Sequence, residues 1–322
     1  MKYFNGDYFE TLKQIVLQYV LYNYDYCYLD AMHEKIRREE TSVIVAGSSH
    51  AMNGIIENQV REKMINFSIS SQDLYFDWLH IRKALEESKG RIQQCIISIG
   101  YYMLYQDLSR SKTMGHQVKR VYYPLFGDSH HYDGDCCYDM LEYVKYDKKI
   151  YGKDMLEALC REWSRGFFSE EPSYYGSLKT RAQNNILGLE NIIWNELSVE
   201  EKERIAIKRA GDHNRLKKHG QSRQENDVLV REMAEYLNER EITPVFVIFP
   251  YTQYYNRYID AEYKEDILRL LQSLPVPVVE FLDMNEYPDM FDDTDFLDTD
   301  HLNDKGAQKA TALLNEFLCV IK

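Results

Sequence analysis

The sequence predicts an α/β fold: a three-layer α/β/α sandwich on a five-stranded parallel sheet, interrupted by a large helical insertion. Three observations predict it. Short apolar runs, Val43-Ile-Val-Ala46, Cys95-Ile-Ile-Ser-Ile99 and Pro244-Val-Phe-Val-Ile-Phe249, lack polar alternation and read as strands covered on both faces. Amphipathic helical segments alternate with these runs. Crossovers of that length join parallel neighbours, because a tight hairpin turn cannot hold a helix.

Taken in order, residues 7–38 read as helical, with Phe9, Leu12, Ile15, Val16, Tyr19 and Val20 at three- and four-residue spacing and a second helical part over Leu29–Arg38. This N-terminal helical segment, 1–40, is expected to pack outside the core or to dock a partner protein. The first strand stops at Gly47, where a residue without Cβ permits a sharp turn and brings Ser48 and Ser49 to the carboxyl edge. Asn53–Met64 reads as a short helix, Asn66–Ser70 as the second strand, and Gln72–Ser88 as a helix with Leu74, Trp78, Ile81 and Leu85 on one face. The third strand ends at Gly100.

Residues 103–225 contain no buried-strand pattern. Helices are expected around Tyr138–Tyr146, Lys153–Trp163, Leu178–Trp194 and Val199–Lys218, as an insertion forming a lid or substrate wall and offering a second surface for a partner. The α/β rhythm then resumes with a helix over Asn226–Glu241, the fourth strand closed by Pro250, a helix over Ala261–Leu274 and a fifth strand over Val276–Leu282. An acidic loop and a closing helix, Asp304–Ile321, complete a core formed by 41–102 and 226–322.

Composition narrows the function classes. With 39 basic and 52 acidic residues the formal net charge is -13, which argues against nucleic-acid and anionic-membrane partners, both of which reward clustered Lys and Arg. Cys27, Cys95, Cys136, Cys137, Cys160 and Cys319 have no framework spacing and read as reduced thiols. The first residues show no basic segment followed by an apolar one, and Ile15–Leu21 falls well short of the roughly 20 apolar residues of a membrane span. The chain therefore reads as cytoplasmic, or as extracytoplasmic if a leader has been removed. The 27 tyrosines suit half-exposed surfaces and carbohydrate contacts, or reflect a compositional habit of the source.

Open α/β sheets bind ligands at the carboxyl edge of their strands, so a serine just after the first strand is a nucleophile candidate if a histidine and a carboxylate return to meet it. The acidic loop supplies both. Asp298 and His301 are three residues apart, a spacing that lets the carboxylate hold the imidazole in one tautomer from the same turn. His50 lies beside the serines. The five aspartates from Asp292 to Asp300 lack the glycine and distal glutamate of an EF-hand loop and read as a solvated turn. His130-His131 with Cys136-Cys137 has zinc-binding residue types without zinc spacing. No metal or organic cofactor is expected.

These residues resemble a family. Gly47-Ser-Ser49, Asn66-Phe-Ser-Ile-Ser-Ser71, Gly100 and Asp298-Thr-Asp-His301 are similar, in order and spacing, to the four motif blocks of the SGNH, or GDSL-like, hydrolases. The opening is closest in style to the DltD-like and alginate-acetylation-like branch. The resemblance implies a flavodoxin-like SGNH fold with Ser49 as nucleophile and oxyanion donor, His301 as base and Asp298 as its orienting acid. Ser71 stands where the family has an oxyanion glycine, and Tyr101 and Tyr102 stand where it has an asparagine, so their N–H or O–H groups are the candidate replacements. Ser48, His50 and Gly100 are candidate substrate-lining positions. Gly47-Ser-Ser-His-Ala51 also approximates the Gly-x-Ser-x-Gly elbow of α/β-hydrolases, but that fold places its elbow after several strands and separates its acid widely from its histidine.

The implied activity is a serine-dependent ester hydrolase or O-acyltransferase acting on an acylated carbohydrate or cell-envelope polymer building block. A non-catalytic glycan- or partner-binding protein that keeps the fold is the alternative.

Overall fold

The structure, a computed structural model, describes residues 24–88, 91–136 and 193–321. Val43–Ala46 (β1) is buried along its whole length because it lies inside the sheet, flanked by Met64–Asn66 (β2) and Gln94–Ser98 (β3). Thr243–Ile248 (β4) and Glu280–Asp283 (β5) extend the sheet to the order β2-β1-β3-β4-β5, with every pair parallel. This is the doubly wound arrangement in which chain order reverses beside the first strand, and the crevice at that reversal is where such sheets take ligands. β1 and β3 flank it.

Register divides the strand residues between two layers. Val45 pairs with Ile96 and Ile96 with Val245, and together with Val43, Val247 and Leu282 they face one cluster. That cluster is completed by Ala51 of α2 (Ser49–Gly54), Ala206 of α4 (Val199–Asn214), and Ala310, Leu313, Leu314 and Leu318 of α8 (Asp304–Val320). On the opposite side α3 (Leu74–Glu87) packs on β1 and α5 (Gly220–Asn238) on β4, and the two helices touch each other. Helices α6 (Gln253–Tyr258) and α7 (Glu262–Gln272) connect β4 to β5. The result is the three-layer α/β/α sandwich that the periodicity predicts.

Boundaries differ from the predicted ones for local reasons. The fifth strand starts at Glu280 rather than Val276, because Pro275 and Pro277 have no N–H for a ladder. The second strand spans Met64–Asn66 rather than Asn66–Ser70: the Asn66 side chain accepts from Ser68 N at 2.9 Å and turns the chain away. The helix expected over Asn53–Met64 is replaced by α2, which begins at Ser49, and by a single 3₁₀ turn at Glu57–Gln59.

The described residues fall into two compact units. The one that holds the sheet comprises 32–108 and 193–321 and includes α4 and α5, which the sequence reading assigns wholly or in part to the insertion. The other comprises 24–31 and 109–136. It contains the helical turns Gly115–Gln117, Val118–Tyr122 and Tyr123–Phe126, closed by Gly127 at φ 66°. Helix α1 (Tyr24–Arg38) contains the expected Leu29–Arg38. The helices expected at 7–23, Tyr138–Tyr146 and Lys153–Trp163, and most of Leu178–Trp194, lie outside the described residues. No described helix is long and apolar enough to cross a membrane.

Gly47 is required by a close approach. A Cβ there would lie 2.4 Å from the Cβ of Ser98 at the end of β3, and neither atom can rotate away. Gly47→Ala is expected to destabilise the protein by about 1–3 kcal/mol, the usual range for an overpacked core site. Denaturant midpoints check this; an unchanged midpoint refutes it, and Ser98→Gly introduced with Gly47→Ala should recover part of the loss.

Candidate active site

Ser49 owes its position to the abrupt change from strand to helix. Ser48 occupies the N-cap of α2 and Ser49 its first turn, so the Ser49 N–H has no acceptor within the helix. Ser49 is half-buried and Ser48 buried.

The acid and base come from the loop before α8, whose backbone is closed on itself. Phe296 and Leu302 form an antiparallel bridge, Leu297 N donates to His301 O at 2.8 Å, and Asn303 N donates to Asp295 O at 3.0 Å. Asn303 also caps α8 through Lys305 N and Gly306 N, while its amide donates to Thr294 O and Phe296 O. A Cβ on Gly306 would lie 2.1 Å from Asp295 O, so the start of α8 and this loop meet where only a glycine fits. Asp298 Oδ1 accepts from Asp300 N and His301 N, both at 2.9 Å, which fixes its carboxylate under the imidazole.

The parts meet. His301 Nε2 lies 2.8 Å from Ser49 Oγ, and His301 Nδ1 lies 3.0 Å from both Asp298 oxygens. With Nδ1–H held by Asp298, the neutral ring turns its lone pair to the Ser49 hydroxyl, the geometry of a serine nucleophile with its base.

Around this line stand the expected His50 and Tyr102, together with Asp300, Arg209 and His213, which the sequence does not single out. Asp300, buried at 2% side-chain exposure against 47% for Asp298, lies 3.7 Å from His301 Nδ1 and accepts from Arg209 Nε at 2.9 and 3.1 Å. His50 stacks on His301 with ring centres 5.0 Å apart and planes at 13°. Its Nδ1 is 3.3 Å from Ser48 Oγ, and its Nε2 is 3.6 Å from Asp300, too far for a hydrogen bond. His213 of α4 stacks on Tyr102 at 3.7 Å. Arg209 and His213 come from a helix some 90 residues upstream of the loop, beyond the reach of spacing arguments.

Electrostatics separates the histidines. Burial alone would lower His301, but the Asp298 and Asp300 carboxylates, with the Asp298 hydrogen bond, outweigh burial and the opposing Arg209 charge and raise it to about 9. Burial lowers His50 and brings His213 down to about 2, so both rings are neutral at ordinary pH. Burial pushes Asp300 up, yet the charges of His301 and Arg209 and the nearby His50 hold it well below the usual carboxylate range.

The remaining site expectations divide. Ser71 sits at φ 58°, a left-handed conformation that glycine adopts without strain, and Ser70 Oγ donates to Met52 Sδ at 3.8 Å, which sets this turn against α2. Tyr101 is corrected as an oxyanion candidate: its hydroxyl donates to Asp283 Oδ2 at 2.8 Å, and a phenol has one hydrogen to give. Tyr102 is buried in its stack on His213. Gly100 N–H is directed to Met103 Sδ at 2.9 Å, within its own turn, and a Cβ on Gly100 would approach the Tyr251 hydroxyl at 3.2 Å. That hydroxyl is buried, with no side-chain hydrogen-bond partner among the described residues.

The expectation of a solvated acidic loop holds for Asp292 and Asp298, whose side chains stay open to solvent, and is corrected for Asp293, Asp295 and Asp300. Asp295 is fully buried against Lys309 and Lys305, Asp293 pairs with Lys202, and Asp300 pairs with Arg209. Protein cations neutralise these carboxylates. His50, Asp300 and His301 offer metal-ligating atoms within 4.8 Å of one another. However, Arg209 occupies both Asp300 oxygens, and Asp298 and Ser49 occupy the His301 nitrogens, so the set suits a proton relay better than a cation. His130 Nδ1 lies 3.2 Å from Ser109 Oγ and Cys136 Sγ donates to Gly134 O, while Cys137 lies outside the described residues, so the four-residue His-Cys set is not brought together among the described ones. Neither protein-family models nor curated proteins match this chain.

Proposed function

We propose that the protein is a serine-dependent ester hydrolase or O-acyltransferase of the SGNH type, acting on an acylated carbohydrate or cell-envelope polymer building block. The observation that carries this reading is the Ser49–His301–Asp298 line, with 2.8 Å from Ser49 Oγ to His301 Nε2. The resemblance of the four sequence blocks supports it and points to the substrate class. Neutral His301 takes the Ser49 proton as Oγ attacks the acyl carbonyl. The Ser49 and Ser71 N–H groups receive the developing oxyanion. The imidazolium then returns its proton to the departing alcohol, leaving acyl-Ser49. Water or a sugar hydroxyl, deprotonated by the same ring, attacks this ester and frees the serine.

A fluorophosphonate probe tests the reading. One probe per chain is expected, mapped to Ser49 by peptide mass and lost in Ser49→Ala; no labelling, or equal labelling of Ser49→Ala, overturns it. The second reading, a glycan-binding protein that keeps the fold without turnover, is favoured by the Tyr101 hydroxyl being engaged by Asp283 where a third oxyanion donor would stand. Glycan binding unaffected by Ser49→Ala, with no acyl release from any ester, is the outcome it requires.

A further inference from the structure

His301 faces two carboxylates from its own loop, and they differ in nearly every respect. Asp298 is half-exposed, in hydrogen-bond contact with Nδ1, and tied to the backbone N–H groups of Asp300 and His301. Asp300 is buried, makes no hydrogen bond to His301, and is gripped through both oxygens by Arg209 of α4. A histidine base needs only one carboxylate to select its tautomer. The second calls for its own account, the more so because burying a charge is unfavourable unless it is paired.

We propose that Asp300 is a positioning residue that acts through His301: held by Arg209 at 3.7 Å from Nδ1, it stabilises the imidazolium that forms when His301 takes the Ser49 proton, while Asp298 fixes the tautomer. The proposal rests on the Ser49–His301 reading for its catalytic meaning, but its electrostatic part stands without it.

The distances allow this division. At 3.7 Å the Asp300 carboxylate is too far to compete with Asp298 for the Nδ1 proton, yet close enough for strong charge interaction in a water-poor setting. The other charged and titratable groups facing His301 do not supply that effect. From α4, Arg209 opposes it and His213 is neutral; from α2, His50 is neutral; after β3, Tyr102 is a buried phenol shifted upward by desolvation. Asp298 and Asp300 are left as the groups that favour the cation.

His50 gives the arrangement a second limb. Ser48 Oγ, His50 and Asp300 repeat the order Ser-His-Asp in a ring stacked parallel on the first, with Asp300 as the shared acid end. Neutral His50 presents an Nε2–H dipole toward Asp300 at 3.6 Å and its Nδ1 lone pair to the Ser48 hydroxyl. Asp300 is therefore bounded by Arg209, His50 and His301, three groups that each favour its ionised form. A carboxylate so enclosed keeps its charge while His301 cycles between neutral and protonated states, as electrostatic preorganisation requires.

The test titrates His301 by heteronuclear NMR in protein labelled at histidine, and in parallel measures the pH dependence of fluorophosphonate labelling of Ser49. In Asp300→Asn the His301 midpoint is expected to fall by about 1–2 pH units, within the range an opposite charge at this distance produces. Labelling at neutral pH should then become faster than in the wild type. Asp298→Asn should instead slow labelling at every pH. If the isosteric Asp300→Asn loosens the fold, the double variant Asp300→Asn/Arg209→Gln keeps a neutral hydrogen-bonded pair in place and should still titrate below the wild type. An unmoved midpoint in the folded variants overturns the proposal, as does a shift confined to Asp298→Asn. A midpoint that moves while Ser49 never labels refutes the enzyme reading and leaves the Asp300 assignment standing.

Discussion

Ser49→Ala and His301→Ala are each expected to lower the turnover of an activated ester by about 10⁴–10⁶, and the double variant is expected to fall no further than the weaker single one. The two residues act as a unit: His301 Nε2 is hydrogen-bonded to Ser49 Oγ at 2.8 Å, so removing either leaves the other without a proton partner. Ser48 cannot take over from Ser49. It is 5% exposed, and its hydroxyl is engaged by His50 Nδ1 on the inner side of the turn. What remains in the variants should be the contribution of binding and of the Ser49 and Ser71 N–H groups. Initial rates for the four proteins decide the point. Independent, additive losses would show that Ser49 and His301 do not share a step, and an active Ser49→Ala would show that the acyl group travels by another route.

Much of this site could be read from spacing because it is local. β1 is a continuous apolar run ending in glycine, so its strand character, its burial and the residues presented at its carboxyl edge follow from one short segment. Asp298 and His301 share a turn, and their contact needs no knowledge of the rest of the fold. Arg209 and Asp300 are different: 91 residues separate them, and nothing at Arg209 distinguishes it from the other cations of a charged, amphipathic α4. Their pairing is a consequence of α4 packing on the same sheet face as α8, which local pattern does not encode. Asp300, Asp295 and Asp293 look as solvated as Asp292 and Asp298 in the sequence, which shows five carboxylates but not the lysines and arginine that meet three of them. Tyr101 differs from its sequence expectation for a related reason. Its hydroxyl has a buried partner at the end of β5, Asp283, 182 residues away.

The hydrolytic rate is expected to climb about tenfold per pH unit through neutrality and to level off only near pH 9, a rise of about 10²–10³ between pH 6 and 9. The base must be neutral to accept the Ser49 proton, and the two carboxylates raise His301 to about 9, so at neutral pH most molecules hold an imidazolium that donates to Ser49 rather than accepting from it. Stability should run the other way on this side of neutrality. A histidine whose folded pKa exceeds its unfolded value near 6.5 contributes stability that is fully present below pH 6.5 and is lost as pH rises through 9; for this shift, roughly 3 kcal/mol is the upper bound. On the acid side His50 and His213, whose folded values are lowered, remove stability as pH falls below 6.5, because the unfolded chain binds protons that the folded one refuses. The most stable protein and the most active protein should therefore occur at different pH. Rates of kcat/KM, corrected for spontaneous ester hydrolysis, and denaturant midpoints over the same pH series measure both curves. A rate plateau that begins at pH 7 would mean that His301 is not held as a cation by Asp298 and Asp300. A rate that rises while stability stays flat from pH 7 to 9 would mean that the titrating group is not the buried imidazole but a group equally exposed in the unfolded chain.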